Sequence, residues 1–245
     1  MPCKFWFPPS FNEAIEEYVW PAGIQEITFG TSFNRSIDKV AWPSSLRRLM
    51  FGFHFFFFDR SIENTQWPDT IERLTFGDMF DQPIEAVVWP ASLKQLRFGV
   101  LFNQPIHQAV WPDSLQDLEF SLHFNRPIDR VVWPASLQRL TFGHRFDQPV
   151  EDVQWPASLE NLTFGYRFDQ PIKGVVWPTS LQGLEFGFCF NQPVHDVVWP
   201  AFLQRLTYSS QFNEPVEQSH EEDVDSLDDG CRDRPAFSLS QIAAT

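Results

Sequence analysis

The dipeptide Trp-Pro recurs at Trp20, Trp42, Trp67, Trp89, Trp111, Trp133, Trp155, Trp177 and Trp199, always at a 22-residue interval except for one longer gap between Trp42 and Trp67. A fixed period across most of a chain narrows the fold to architectures in which one unit stacks on the next. One unit, Trp133 to Val153, reads WPASLQRLTFGHRFDQPVEDV, and its neighbours keep the same residue types at the same offsets. Leu137-x-x-Leu140-x-Phe142 and Val150-x-x-Val153-x-Trp155 share one spacing, whose last two apolar residues alternate with period 2, so each half predicts a short strand. Proline cannot donate to a ladder and closes one strand. The Gly143 column closes the other, where a tight corner is expected to need glycine's conformational freedom.

A unit of this length cannot bury both its faces alone, so its Leu, Ile, Phe and Trp side chains gain most by stacking on their equivalents in adjacent coils. The expected fold is a mainly β solenoid of about nine to ten coils with two parallel sheets, one along the Leu-x-Phe columns and one along the Val-x-Trp columns. At a strand spacing of about 4.8 Å, nine coils would extend ~43 Å. Each buried Leu, Val or Phe contributes on the order of 1.5–3 kcal/mol, which lets stacked apolar columns outweigh the polar features of the coil.

Composition agrees and excludes several functions. The 245 residues include 27 Phe and 10 Trp but only 3 Tyr, aromatics suited to burial, and 20 Pro, which disfavours long helices. A formal charge of −14 opposes general attraction to nucleic-acid phosphates or anionic lipid. Cys3, Cys189 and Cys231 form neither a disulfide framework nor a Cys-x-x-Cys pair, and they suit a reducing compartment. Pro8, Pro9, Glu13, Glu16 and Glu17 interrupt any secretory leader, and no segment has the apolar length of a membrane helix. A cytoplasmic protein is expected, with no nucleic acid and no membrane as partners and no cofactor.

The stretches SLQRLTFGHRFDQPV, SLKQLRFGVLFNQPI and SLQGLEFGFCFNQPV resemble the FNIP repeat, a leucine-rich-repeat relative of about this period. The resemblance covers residues 1 to about 216 and implies a leucine-rich-repeat-like β-solenoid. Members of that family are often joined to an F-box, which implies the substrate-recognition arm of a ubiquitin ligase assembly. No F-box-like helical segment is visible in this sequence, and Trp-Pro stands where an aliphatic residue and Pro are usual. Phe5, Phe7, Phe11 and Ile15 already match the Leu-x-Phe half of a coil, so the chain begins in mid-repeat. An open solenoid end is expected to be either truncated or covered by a partner.

Three surfaces are candidate protein-binding sites. In the long gap, Gly52 is followed by Phe53, His54, Phe55, Phe56, Phe57 and Phe58, so three extra residues must loop outward; the rings either shield one another or form a contact site. On the Leu-x-Phe sheet, Arg48, Arg73, Lys94 and Arg97, with Arg47 beside them, make a local basic stripe in an acidic protein. The stripe suits an acidic or phosphorylated peptide, or merely solvates the sheet. Val88, Val110, Val132, Val176 and Val198, broken by Gln66 and Gln154, form a column that supports a strand or docks a protein, including a second copy. Open solenoid ends offer another route to self-association, as in a structural rod.

Catalytic chemistry has little support. His123 and His144 fall at unequal offsets, His54, His107, His195 and His220 are scattered, and none has a repeated nucleophile at triad spacing. The column Asn34, Asp59, Asp81, Asn103, Asn125, Asp147, Asp169, Asn191 and Asn213 is expected to bond its own turn backbone, since a calcium site needs more oxygen ligands from one loop. No catalytic, cofactor-binding or metal residues are assigned. The expected role is a non-catalytic repeat scaffold for protein–protein interaction.

After Val216 the repeat stops, and residues 217–245 carry eight acidic residues against Arg232 and Arg234, a net charge of −6 with few large apolar groups. This composition predicts a disordered tail that solvates, binds a partner or masks the basic stripe. Deleting residues 217–245 should leave the thermal midpoint almost unchanged in a melting experiment, and a large loss would show that the segment packs.

Overall fold

The computed structural model describes residues 3–52 and 57–208; Phe53, Phe55, Phe56 and the acidic segment 217–245 lie outside the described residues. Ten strands follow one another along the chain: β1 (Cys3–Trp6), β2 (Ile24–Thr28), β3 (Arg48–Met50), β4 (Arg73–Thr75), β5 (Gln95–Arg97), β6 (Asp117–Glu119), β7 (Arg139–Thr141), β8 (Asn161–Thr163), β9 (Gly183–Glu185) and β10 (Arg205–Thr207). They form a single parallel sheet in sequence order. The chain is therefore a β-solenoid. Among the described residues there is no helix, and none that could cross a membrane.

Register follows the period of the sequence. Leu96, Leu118, Leu140, Leu162 and Leu184 face one another in a single buried column, each one repeat beyond the last. Three reverse corners close each coil. In the coil after β7, Phe146 N–H donates to Gly143 O at 3.1 Å, Val153 N–H to Val150 O at 3.3 Å, and Leu159 N–H to Pro156 O at 3.0 Å. Inside the resulting three-sided tube the Phe rings stack in two files, for instance Phe98 on Phe120 and Phe102 on Phe124. Trp89, Trp111, Trp133 and Trp177 are all but buried, and Trp155 stacks on Trp177 with ring centroids 6.3 Å apart.

Among the described residues, the second sheet expected along the Val-x-Trp columns is not formed. Both halves have the same apolar spacing, but Pro after each Trp of this column removes a donor from each rung, and the indoles of neighbouring coils sit wider apart than paired strands. Trp89 and Trp111 are 6.3 Å apart, against the ~4.8 Å that a backbone ladder requires. Ring spacing grows with distance from the sheet, from 5.5 Å for Phe98–Phe120 to 6.1 Å for Phe102–Phe124 and 6.3 Å for the indoles. Each coil is a wedge, narrow at the strands, so the tube curves with the sheet on its inner side.

The glycine column also works differently from expectation. Within this column a positive φ occurs at Gly52, where the insertion begins, but not at Gly143, Gly165 or Gly187; Gly23 and Gly174, outside it, also have one. Instead, a Cβ at Gly143 would lie 1.5 Å from Ser121 O, and one at Gly165 would lie 1.6 Å from Gly143 O. The strand has just ended there, the coils are at their closest, and the carbonyl of one coil fills the space of the next coil's side chain. Ser121 stands in this column between Gly99 and Gly143, with Phe124 N to Ser121 O at 3.4 Å.

The Asx column bonds the next coil rather than its own turn. Asn103 Oδ1 accepts Asn125 N–H at 3.0 Å, and Asp147 Oδ1 accepts both Asp169 N–H at 3.0 Å and Gln170 Nε2 at 2.8 Å. Strands end before this corner, so the side chain replaces the missing ladder carbonyl. Serines do the same at another corner, where Ser136 Oγ donates to Leu115 O and Ser158 Oγ to Leu137 O, both at 2.7 Å.

Two substitutions test these contacts. Gly143→Ala should lower unfolding free energy by about 1–3 kcal/mol through overpacking against Ser121 O. Asp147→Ala, which strands two donors, should lower it by about 1–3 kcal/mol. Denaturant titration measures both, and parental stability in either variant would contradict the contact assigned to it.

Candidate binding face

On the inner sheet, two outward columns are set by strand alternation. One contains Glu26, Arg48, Arg73, Gln95, Asp117 and Arg139, and the other Thr28, Met50, Thr75, Arg97, Glu119 and Thr141. Between β1 and β6 they floor a groove of about 440 Å³. Arg48 and Arg73 are direct cross-strand neighbours, Arg97 lies opposite Thr75, and Lys94 precedes β5 at the sheet's margin.

Most of the cations are paired across coils. Glu26, whose side chain is only 8% exposed, receives Lys4 at 3.0 Å and Arg48 at 3.5 Å on its two oxygens. Glu72 receives Arg47 at 2.6 Å and Lys94 at 3.8 Å, and Arg97 pairs with Glu119. Asp117 is held from the far side by Arg139 at 3.4 Å. Arg73 is different: among the described residues that line the groove, it is the cation with no side-chain hydrogen bond or ion pair. Its side chain is exposed, its strand neighbours are a second arginine and the neutral Gln95, and Thr75 offers a hydroxyl on the same strand. This arrangement can hold a carboxylate or phosphate with a planar, bidentate guanidinium donor.

Of the phenylalanine insertion, Phe57 is described. It is 55% exposed and its N–H donates to Thr31 O at 3.0 Å. Phe58 re-enters the buried file, 6.1 Å from both Phe33 and Phe80, so the three extra residues are accommodated before the column resumes. Phe57 thus sits on a corner of the tube, while Arg48, Arg73 and Arg97 occupy its inner side. One surface was missed in the sequence. His144 stacks on Tyr166 at 4.5 Å and Tyr166 on Phe188 at 5.1 Å, a file of rings one residue past the glycine column. Reading that offset coil by coil gives Val100, Leu122, His144, Tyr166 and Phe188, an apolar-to-aromatic column visible in the repeat.

The histidines do not assemble into a reactive group. Desolvation lowers the pKa of His123, and the nearby Arg145 charge lowers it further against the opposing effect of Asp81. His107 and His195 lie beside Glu85 and Asp196 on an exposed corner. Among the described residues no three His, Cys, Asp or Glu side chains converge as metal ligands, and Cys3 and Cys189 are not in a disulfide.

Comparison with known proteins agrees with this architecture. The FNIP Repeat family model matches at residues 11–54, 58–100, 102–145 and 146–189, stepping over the insertion between its first two matches. CroV588, whose crystal structure is described as a novel circular LRR protein, is 33% identical over 86% of this chain, with a TM-score of 0.55. The chain spans 37% of the length of CroV588. No curated protein matches. Four tandem family matches on a one-sheet, leucine-columned solenoid place this chain in the FNIP repeat family.

Proposed function

We propose that this chain is a non-catalytic scaffold that binds the acidic segment of a protein partner along the inner sheet. The observation that carries this reading is the unpaired guanidinium of Arg73 in a groove whose other cations are neutralised. A free arginine beside Arg48 is unfavourable for the isolated sheet, because like charges stand opposite each other across neighbouring strands. An anionic ligand removes that repulsion. The neighbouring Glu26, Glu72 and Glu119 hold Arg48, Lys94 and Arg97 in place, so the groove presents ordered donors with little side-chain entropy left to lose. A concave sheet of this width accepts an extended peptide running across the strands, with Met50 as apolar floor and Phe57 as an anchor at the corner.

FNIP membership supports a narrower version, in which the bound partner is a ubiquitination substrate and an F-box module is supplied elsewhere. The groove chemistry supports the broader scaffold role.

Fluorescence anisotropy with a labelled glutamate-rich decapeptide tests the site. Arg73→Ala should weaken binding roughly tenfold, the loss of one charge-assisted contact of ~1.4 kcal/mol, and Arg73→Glu should weaken it further. Raising salt should weaken the parent more than Arg73→Ala. Wild-type affinity in Arg73→Ala would overturn the assignment.

A further inference from the structure

The Val-x-Trp side of the tube carries a second surface with a different chemistry. Val88, Val110, Val132, Val176 and Val198 project outward from successive coils, each at least 74% exposed, with Gln154 the one interruption. Exposed Ala91, Ala135 and Ala157 adjoin the strip, with Asp113 and Thr179 at the same offset in other coils. Among the described residues this side forms no ladder, so strand propensity does not account for its valines, and they stay exposed. At the 6.3 Å spacing of Trp89 and Trp111 the strip, five intervals from Val88 to Val198, is about 30 Å long.

We infer that this side joins two copies of the chain, antiparallel, about a twofold axis beside Val132. A second copy is the occupant whose teeth have the same pitch by construction, and a twofold interface needs only one self-complementary patch. Charge along the adjoining corner selects the register. Reversal about the Val132 coil sets Glu85 opposite Lys173 and His107 opposite Glu151, and brings the side-by-side Asp129 and Arg130 onto their own copies. Moving the axis one coil toward Val110 opposes Glu85 to Asp129 and Glu63 to Glu151; moving it one coil the other way places Glu151 and Asp152 against themselves. Those like-charge registers are rejected.

Between Val88 and Val110 lies a notch of about 320 Å³ with Val87, Trp89, Trp111 and Pro112 beneath it. Reversal about the Val132 coil sets Val88 opposite Val176 and Val110 opposite Gln154, whose aliphatic stem meets the rim of this notch. Because the coils fan apart on this side, Val132 against its own copy and Val110 against Gln154 make the closest contact. The outer coils meet through longer rim side chains such as Glu85 and Lys173, which already reach out to His107 and Asp196 within the chain. Rim charges set register and encounter, and the central valines supply affinity.

Light scattering on the full chain at ~100 µM, above the range of a micromolar interface, should give a dimer mass. Val110→Asp, folded by circular dichroism, should raise the dimer dissociation constant at least roughly 30-fold. Cysteine variants in a background with Cys3, Cys189 and Cys231 changed to Ser read the register. Val132→Cys should cross-link to itself under mild oxidation, and Val110→Cys should cross-link in mixture with Gln154→Cys but not alone. A monomer at that concentration, a dimer indifferent to Val110→Asp, or self-cross-linking of Val110→Cys would each overturn the proposal. The peptide affinity of Arg73 variants stays independent of these results, because groove and valine strip lie on different sides of the tube.

Discussion

The structure depends on how closely successive coils approach on the strand side. There the backbone ladder sets a pitch of about 4.8 Å, and no side chain fits between one coil's carbonyl and the next coil's glycine. On the remaining two sides the pitch is set by aromatic rings, at 6.1 Å for Phe102–Phe124 and 6.3 Å for Trp89–Trp111. The two spacings differ, with the rings of neighbouring coils farther apart than the paired strands. The wedge that results decides the rest: one sheet instead of two, a concave polar side and a fanned apolar one.

Much of this was legible in the sequence, because a 22-residue period makes neighbours in space out of residues at fixed separation. The leucine, phenylalanine and tryptophan columns are buried as the spacing implies. What was not legible came from quantities that a pattern does not carry. The two halves of a coil share one apolar spacing, and only ring size and the proline after Trp distinguish the half that forms a ladder from the half that does not. Gly143 reads as a flexible corner, whereas its role is to make room for Ser121 O. Asp147 reads as a local turn former, whereas its oxygen serves the next coil.

The candidate site was legible in its residues but not in its charge balance. Arg48, Lys94 and Arg97 read as a basic stripe, yet their partners Glu26, Glu72 and Glu119 sit one coil away. Arg97 and Glu119 stand exactly one repeat apart, so this pairing was available from the period alone. What the period could not supply is which cation remains unpaired, since that depends on how far each side chain reaches along and across the columns. Arg73 has Gln95 where a carboxylate would be needed. Its exposed charge follows from that one neutral neighbour.

The tryptophan file has a consequence of its own. Trp20, Trp42, Trp67, Trp89, Trp111, Trp133, Trp155 and Trp177 bury an indole N–H with no acceptor in reach, and where neighbouring rings stack they lie within about 20° of parallel. Chromophores held in this way, as in the run Trp20, Trp42, Trp67, share their excitation, and their near-ultraviolet dichroism depends on stacked neighbours rather than on any single ring. The native optical signal of the protein is therefore a gauge of continuity, which dims when one coil slips out of line even if the backbone on either side stays folded.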